Sequence, residues 1–210
     1  MLSNLYNQLT AYGTVYRLDL FLENPKKFVD WTEENFDYVK YNHRKDINRL
    51  GLSVTSLDGG VTGVPDLDSL LEYNTENNTD YTERDFKTFT PVYNYPQLQK
   101  CLEPIKDHIF RTHILKLETG GFFPAHRDNK ITKVDSFRIL VPLSNTNPPN
   151  FTFVIDGKIE HWVEGAFYFI DTLKTHYLFN ASFKPTYMLV VNVDLNEDTI
   201  KFISDNLAYL

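Results

Sequence analysis

What most constrains this chain is the density of short β-type runs in its second half. From about His113 onward, THILKLETGGFF, SFRILVPL, NFTFVIDGKIEHW, GAFYFID and PTYMLVVNVDL follow one another. They are rich in β-branched and aromatic residues and are separated by Gly, Asn, Pro and Asp. Strands this short and closely spaced fold as an antiparallel sandwich or barrel. Asp156 and Gly157 stand between the alternating runs FTFVI and KIEHW. A two-residue hairpin turn needs residues there that tolerate positive φ.

The first half reads differently. Thr14 to Leu22 alternates as a strand, and Asn24 followed by Pro25 supplies an N-cap and first helical residue for PKKFVDWTEENFDYV. LGLSVTSL, around residues 50 to 57, predicts another strand. From Asp58 to about Pro96 the chain is polar and irregular and reads as a long loop excursion, a length uncommon unless functional or disordered. Within it Asp66, Asp68 and Glu72 read as a solvated helix start. The aromatic residues Phe86, Phe89, Tyr93 and Tyr95 read as anchors of the loop or as the lining of a substrate entrance. Gln97 to Phe110 predicts a short helix broken at Pro104, which has no backbone N–H to donate. Asn196, Glu197 and Asp198 start a last helix, with Ile200, Ile203 and Leu207 along one side. The expected organisation is one domain: support and long loop over 1–110, a β core over 111–195, and a C-terminal helix over 196–210.

Bulk properties remove several function classes. No apolar run approaches the roughly 18 to 20 residues of a membrane span, and the N-terminus lacks the basic start and apolar middle of a secretory signal, so a cytoplasmic protein is expected. The single cysteine, Cys101, can form no internal disulfide and no Cys-rich zinc site. The sequons at Asn77, Asn150 and Asn180 then read as chance matches. A net charge of −7 without a basic block argues against nucleic acid as the principal ligand.

Chemistry enters at FFPAHRDN. His126 and Asp128 are separated by one residue, so on an extended segment both side chains point to the same side and can bind one ion. His176, in DTLKTHYLFN, stands some fifty residues later at the start of another strand. Two imidazoles and one carboxylate on one face of an octahedron leave positions open for a bidentate oxo acid and dioxygen. That favours Fe(II) over structural zinc, which takes a closed tetrahedron. The bland alternative makes His126 and Asp128 a surface pair on a turn and His176 a hydrogen-bonded strand residue. Arg127 points away from the metal by alternation. His113 and His161 read as structural histidines, and His43 and His108 as solvent-facing.

The run from Arg111 to Leu195 resembles the aspartyl/asparaginyl β-hydroxylase branch of the 2-oxoglutarate and iron(II) dependent oxygenases. The resemblance rests on the glycine pair before HRD, the arginine and Pro-Leu of FRILVPL, the hairpin VIDGK, EGAFYFID, and HYLFN with its histidine and asparagine four apart. It implies a mainly β fold with flanking helices, a double-stranded β-helix of the jelly-roll, cupin-like kind. It also implies Fe(II), 2-oxoglutarate as co-substrate, dioxygen, and a peptidyl side chain or free amino acid as substrate. GLSVTSLDGG and VPDLDSLLEYN are similar to versions carried by marine tailed phages, which implies a host cytoplasm.

One position departs from the family's pattern. The arginine expected ten residues after the distal histidine, where it grips the far carboxylate of 2-oxoglutarate, is Thr186 here. Lys184, two residues earlier, and Arg138, near the start of FRILVPL, are the candidate cations, with Thr186 adding a hydroxyl. Arg138 can instead bind a substrate carboxylate. Asn180 either orients the site or shapes a turn. Two alternatives stay open: an iron oxygenase with a different co-substrate, and a non-catalytic ligand-binding barrel that retains the triad.

Overall fold

The computed structural model describes residues 4–41, 46–128 and 134–208. The first elements are α1 (Asn4–Thr10), β1 (Val15–Phe21), α2 (Pro25–Asn35), β2 (Val39–Lys40), β3 (Arg49–Ser53) and β4 (Thr55–Ser56). Then come α3 (Leu70–Asn77), β5 (Thr88–Phe89) and α4 (Pro96–Leu102), followed by a 3-10 turn over Glu103–His108. The β core comprises β6 (Ile109–Leu117), β7 (Phe122–His126), β8 (Ser136–Ser144), β9 (Phe151–Ile155), β10 (Lys158–Ile159), β11 (Ala166–Ile170), β12 (His176–Asn180) and β13 (Thr186–Asp194). The helix α5 (Glu197–Asp205) closes the chain.

A large sheet has the order β1-β11-β8-β13-β6-β3-β2, and a small one β10-β9-β12-β7. From β6 to β13 the chain passes between the two, with β6, β8, β11 and β13 in one sheet and β7, β9, β10 and β12 in the other. This is the double-stranded β-helix, with every pair in the two sheets antiparallel.

Why the large sheet's strands read as near-continuous apolar runs is clear from what covers them. In β13, Leu189, Val191 and Val193 pack with Phe28, Leu98, Ile200 and Ile203 of the helices. Met188 and Val190 turn the other way, onto Phe153, Ile155 and Leu178 of the small sheet. Both faces are buried, so alternation gives no polar row. The small sheet is covered on one face only and alternates: His176, Leu178 and Asn180 are buried, Tyr177 and Phe179 exposed.

Most expected elements form. Asp156 and Gly157 take positive φ (51° and 76°) in the β9–β10 hairpin. Asn196 Oδ1 accepts from the Thr199 N–H while Thr199 Oγ1 accepts from the Asn196 N–H, capping α5. Several expectations need correction. Asn24 does not cap α2 with its side chain; it stands in the left-handed region (φ 51°) that asparagine tolerates, and the helix ends at Asn35 because Phe36 is extended. The stretch from Asp58 to Pro96 is no loose excursion. It contains α3, β5 and the wholly buried Phe86 and Val92, and β4 pairs with β5.

Asp66 and Asp68, expected in solvent, are 4% and 8% exposed. Asp66 accepts from Ser53 Oγ (2.9 Å) and the Leu57 N–H (3.3 Å), and burial raises its pKa against those bonds. Arg111 straps the segment down. Its guanidinium donates to the carbonyls of Asp66 and Asp68 and pairs with Glu83 at 2.6 Å. Phe89 and Tyr93 stack at 4.0 Å, Tyr93 is buried in the core cluster and Phe89 and Tyr95 pack against it, which makes them anchors. Among the described residues no helix is long and apolar enough to cross a membrane.

Candidate metal centre and its cavity

The metal-type cluster found among the described residues is His126, Asp128 and His176. Sheet register brings two of them together, since β12 pairs with β7 so that His176 lies opposite His126. Their rings stand 4.2 Å apart. Asp128 lies just beyond β7. Its N–H donates to Thr172 O (2.9 Å), and neighbouring Arg127 donates from Nε to Thr175 Oγ1 (2.9 Å). These bonds clamp the HRD segment onto the turn before β12, and Arg127 is exposed at a depression that Asp128 also lines. One ligand atom from each member lies within 4.8 Å of the others.

The two imidazoles are oriented alike. His126 Nδ1 lies 2.7 Å from Pro124 O and His176 Nδ1 3.0 Å from Lys174 O. A carbonyl only accepts, so each Nδ1 carries the proton and each Nε2 keeps a free lone pair, as metal-ligating histidines require. Burial lowers the pKa of His176, which also favours the neutral, ligating form. His126 Nε2 is 3.5 Å from Asp128 Oδ1, and His176 Nε2 is 3.9 Å from Oδ2. Asp128 Oδ2 is buried without a hydrogen-bond partner although Arg138 Nη1 lies 2.7 Å away. The contact is close in distance and off the N–H direction, so the carboxylate is charge-compensated while an acceptor position stays open. A dication fits this donor set.

The cavity beside the cluster measures about 60 Å³. Its walls include Phe153, Leu140, Ile170, Met188 and Val190, with Tyr41, His113, Arg138 and Thr172 as polar members. On the other side of Arg138 and Thr172 is a polar depression of about 230 Å³ that also involves Glu83, Arg127, Ser136 and Asn192. Arg138 therefore stands between the two. Burial opposes its charge, but Asp128, then Glu83 and Tyr41, outweigh the burial and raise its pKa.

The remaining candidates are placed as follows. Lys184 is exposed in the turn ahead of β13, does not line the cavity, and contributes its backbone carbonyl to Asn180 and Asn145. Thr186 is buried at the start of β13, and its hydroxyl donates to Asn145 O at 2.9 Å. His161 is exposed, His108 is half-buried with Nδ1 3.2 Å from Asn196 Nδ2, and His43 lies outside the described residues.

Asn180 shapes a turn. It is wholly buried, donates to Leu117 O (2.9 Å) and Lys184 O (2.8 Å), and accepts from the N–H and hydroxyl of Ser182. Asn180→Ala leaves these buried groups unpaired and is expected to lower unfolding free energy by roughly 2–3 kcal/mol. Urea unfolding checks this, and a loss under about 0.5 kcal/mol would show that water replaces the amide.

Sequence reasoning set His113 aside, yet it lines the cavity. It is 8% exposed, its Nδ1 lies 3.3 Å from Arg111 O, and burial first, then Arg138 and Arg111, lower its pKa to about 3. An unfolded chain protonates this histidine near pH 6.5 and the folded one does not. Its contribution to stability is thus full above pH 6.5 and is lost toward pH 3, at up to about 1.4 kcal/mol per pH unit. The urea midpoint should fall more steeply between pH 6.5 and 4 in the parent than in His113→Gln. Equal slopes would mean that folded His113 takes up its proton as readily as the unfolded chain.

Searches against protein-family models and against curated protein sequences return no match. Solved structures do match. HygX from Streptomyces hygroscopicus, with nickel and 2-oxoglutarate bound, superposes with a TM-score of 0.55 over 94% of this chain and 89% of that one, at 10% identity. A second HygX structure, which also holds hygromycin B, gives 0.55 over 93% and 88% at 10% identity. An oxidoreductase of the 2OG-Fe(II) oxygenase family from Burkholderia pseudomallei gives 0.51 over 92% and 91% at 9% identity. At such identities the likeness is one of fold.

Proposed function

We propose that this protein is an Fe(II)- and 2-oxoglutarate-dependent dioxygenase that hydroxylates a peptidyl side chain of the Asp or Asn type, or a free amino acid. The observation that carries the reading is the convergence of His126, Asp128 and His176 beside a largely apolar cavity of the barrel. HygX, alike in fold, holds a metal and 2-oxoglutarate. The hydroxylase branch and a phage origin rest on the motif resemblance.

His126 Nε2, the Asp128 carboxylate and His176 Nε2 would hold the iron. With 2-oxoglutarate as co-substrate, an iron held there would supply the activation of dioxygen, one oxygen atom going to the substrate and the other to succinate, with carbon dioxide released. The chain's own contribution is orientation and exclusion of water. Leu140, Ile170, Met188 and Val190 give the cavity apolar walls. Arg138 can turn from Asp128, once a cation compensates that carboxylate, toward a carboxylate of the oxo acid or the substrate. The adjoining depression carries Glu83 and Asp128 together with Arg127 and Arg138, a mixed-charge lining suited to a zwitterion or a peptide backbone.

Anaerobic titration with Fe(II), followed by 2-oxoglutarate, tests the reading. A weak metal-to-ligand charge-transfer band near the visible is expected on the second addition. Iron binding without that band would turn the assignment toward an iron enzyme with another co-substrate, and no iron binding would leave a ligand-binding barrel.

A further inference from the structure

Arg49 is a buried cation that the site as described does not use. It opens β3 and is 5% exposed. Among the described residues it has no carboxylate partner. Its Nε is buried with no hydrogen bond, and among the described residues its side chain has one polar contact, a long one from Nη1 to Phe122 O at 3.5 Å. Its guanidinium lies over the Phe123 ring at 4.0 Å and near the Tyr41 ring at 5.5 Å. Contacts with ring faces contribute about 1–2 kcal/mol, but they leave most of the five N–H donors unpaired. A charge buried in this way costs several kcal/mol unless an anion meets it.

Register shows where that anion would sit. Arg49 pairs with Leu117, and Leu117 pairs with Thr186, so the three form one row across β3, β6 and β13. The next row on the same face is Gly51, Leu115 and Met188, of which Leu115 and Met188 line the cavity. At Gly51 an added Cβ would stand 2.8 Å from Leu67 Cδ1 and 3.3 Å from Tyr41 Cδ2, so the missing side chain leaves room for both neighbours. Tyr41 and Phe123, the rings against Arg49, both line the cavity, and Phe123 stacks on His126 at 6.0 Å. Along β12, Leu178 opposite Phe123 is two residues from His176, about 7 Å by strand geometry. Arg49 itself stands behind Tyr41 and Phe123 and not in the cavity wall. Thr186, with its hydroxyl given to Asn145 O, brings no charge to this end, and Lys184 is exposed in the turn.

We propose that Arg49 receives the far carboxylate of the co-substrate, so that the site selects a dicarboxylic over a monocarboxylic 2-oxo acid. The proposal rests on the oxygenase reading above. The ligand's keto end lies at the triad and its chain runs past Phe123 to the guanidinium, which binds the carboxylate through two parallel hydrogen bonds.

The test measures dissociation constants of 2-oxoglutarate and 2-oxobutyrate for anaerobic Fe(II)-loaded protein. In Arg49→Met the constant for 2-oxoglutarate should rise by roughly 10- to 1000-fold, the loss typical when one member of a buried charge pair is removed. The constant for 2-oxobutyrate should move less than about threefold. Arg49→Lys keeps the charge and much of the stem, and should bind 2-oxoglutarate at intermediate strength; it decides the matter if the methionine variant does not fold. Parent-like 2-oxoglutarate binding in the folded variants overturns the assignment alone, as does an equal loss of both oxo acids, which would mean that Arg49 only shapes the cavity. A parent that binds iron but neither oxo acid overturns the co-substrate reading and this assignment with it.

Discussion

Replacing His176 with alanine is expected to weaken Fe(II) binding by more than about 100-fold and to abolish turnover while the protein stays folded. Losses of 10- to 100-fold are usual when only a group supporting a ligand is removed. Here the ligand itself goes, and with it the Nε2 lone pair that Lys174 O fixes through Nδ1. The fold should survive because it is built on the apolar layer between the sheets, from Leu115 and Leu117 to Phe153 and Leu178, and not on the ion. Some stability is lost, since His176 is 4% exposed and stacks against Phe153, and its removal opens a space there. His126→Ala should lose iron to a similar degree with less effect on stability, its side chain being 34% exposed. Equilibrium dialysis with Fe(II), together with circular dichroism of both variants, makes the measurement. Parent-like iron affinity in both would remove the triad assignment.

A second large effect is expected at Arg138, and it depends on whether metal is present. In the metal-free protein Arg138 is the cation beside Asp128, at 2.7 Å, with both side chains mostly buried. Arg138→Ala leaves that carboxylate uncompensated, at a cost of about 3 kcal/mol. For a chain of this size that lowers Tm by roughly 6–12 °C. A divalent ion supplies the missing charge. Mn(II) or Fe(II) should therefore raise the Tm of Arg138→Ala by more than it raises the parent's, since ligand binding stabilises through its differential affinity for the folded state. Iron remains bound, while the dissociation constant of 2-oxoglutarate or of the substrate rises by about one to three orders of magnitude. Thermal melts with and without Mn(II), and the two binding constants, separate the effects. Equal metal-induced shifts in parent and variant would show that Arg138 does not compensate Asp128, and unchanged binding of both ligands would remove it as a carboxylate partner.

The metal-type cluster was legible because its signals are local. His126 and Asp128 share a face through the period of two that any extended segment has, and HYLFN marks the opposing strand by its own alternation. The barrel was legible for the same reason, through short β-branched runs and the Asp156-Gly157 turn. Lys184 looked usable only while the last strand was allowed to begin early. Pro185 and the hydrogen bonds that Asn180 and Asn145 make to the Lys184 carbonyl hold it in the turn instead, with its side chain in solvent.

What the sequence determined by itself is therefore the strand inventory, the helix starts set by proline and asparagine, and the positions of the donor residues, since each follows from dihedral preference and side-chain period within a few residues. Tertiary structure alone decided that Asp66 and Asp68 are buried beneath Arg111, that Arg138 lies against Asp128, that His113 lines the cavity, and that Arg49 shares a row with Leu117 and Thr186. These contacts join segments tens of residues apart. Which segments meet is fixed by the pairing order and register of the sheets, and that depends on how the whole apolar surface is buried at once, a quantity that no local pattern carries.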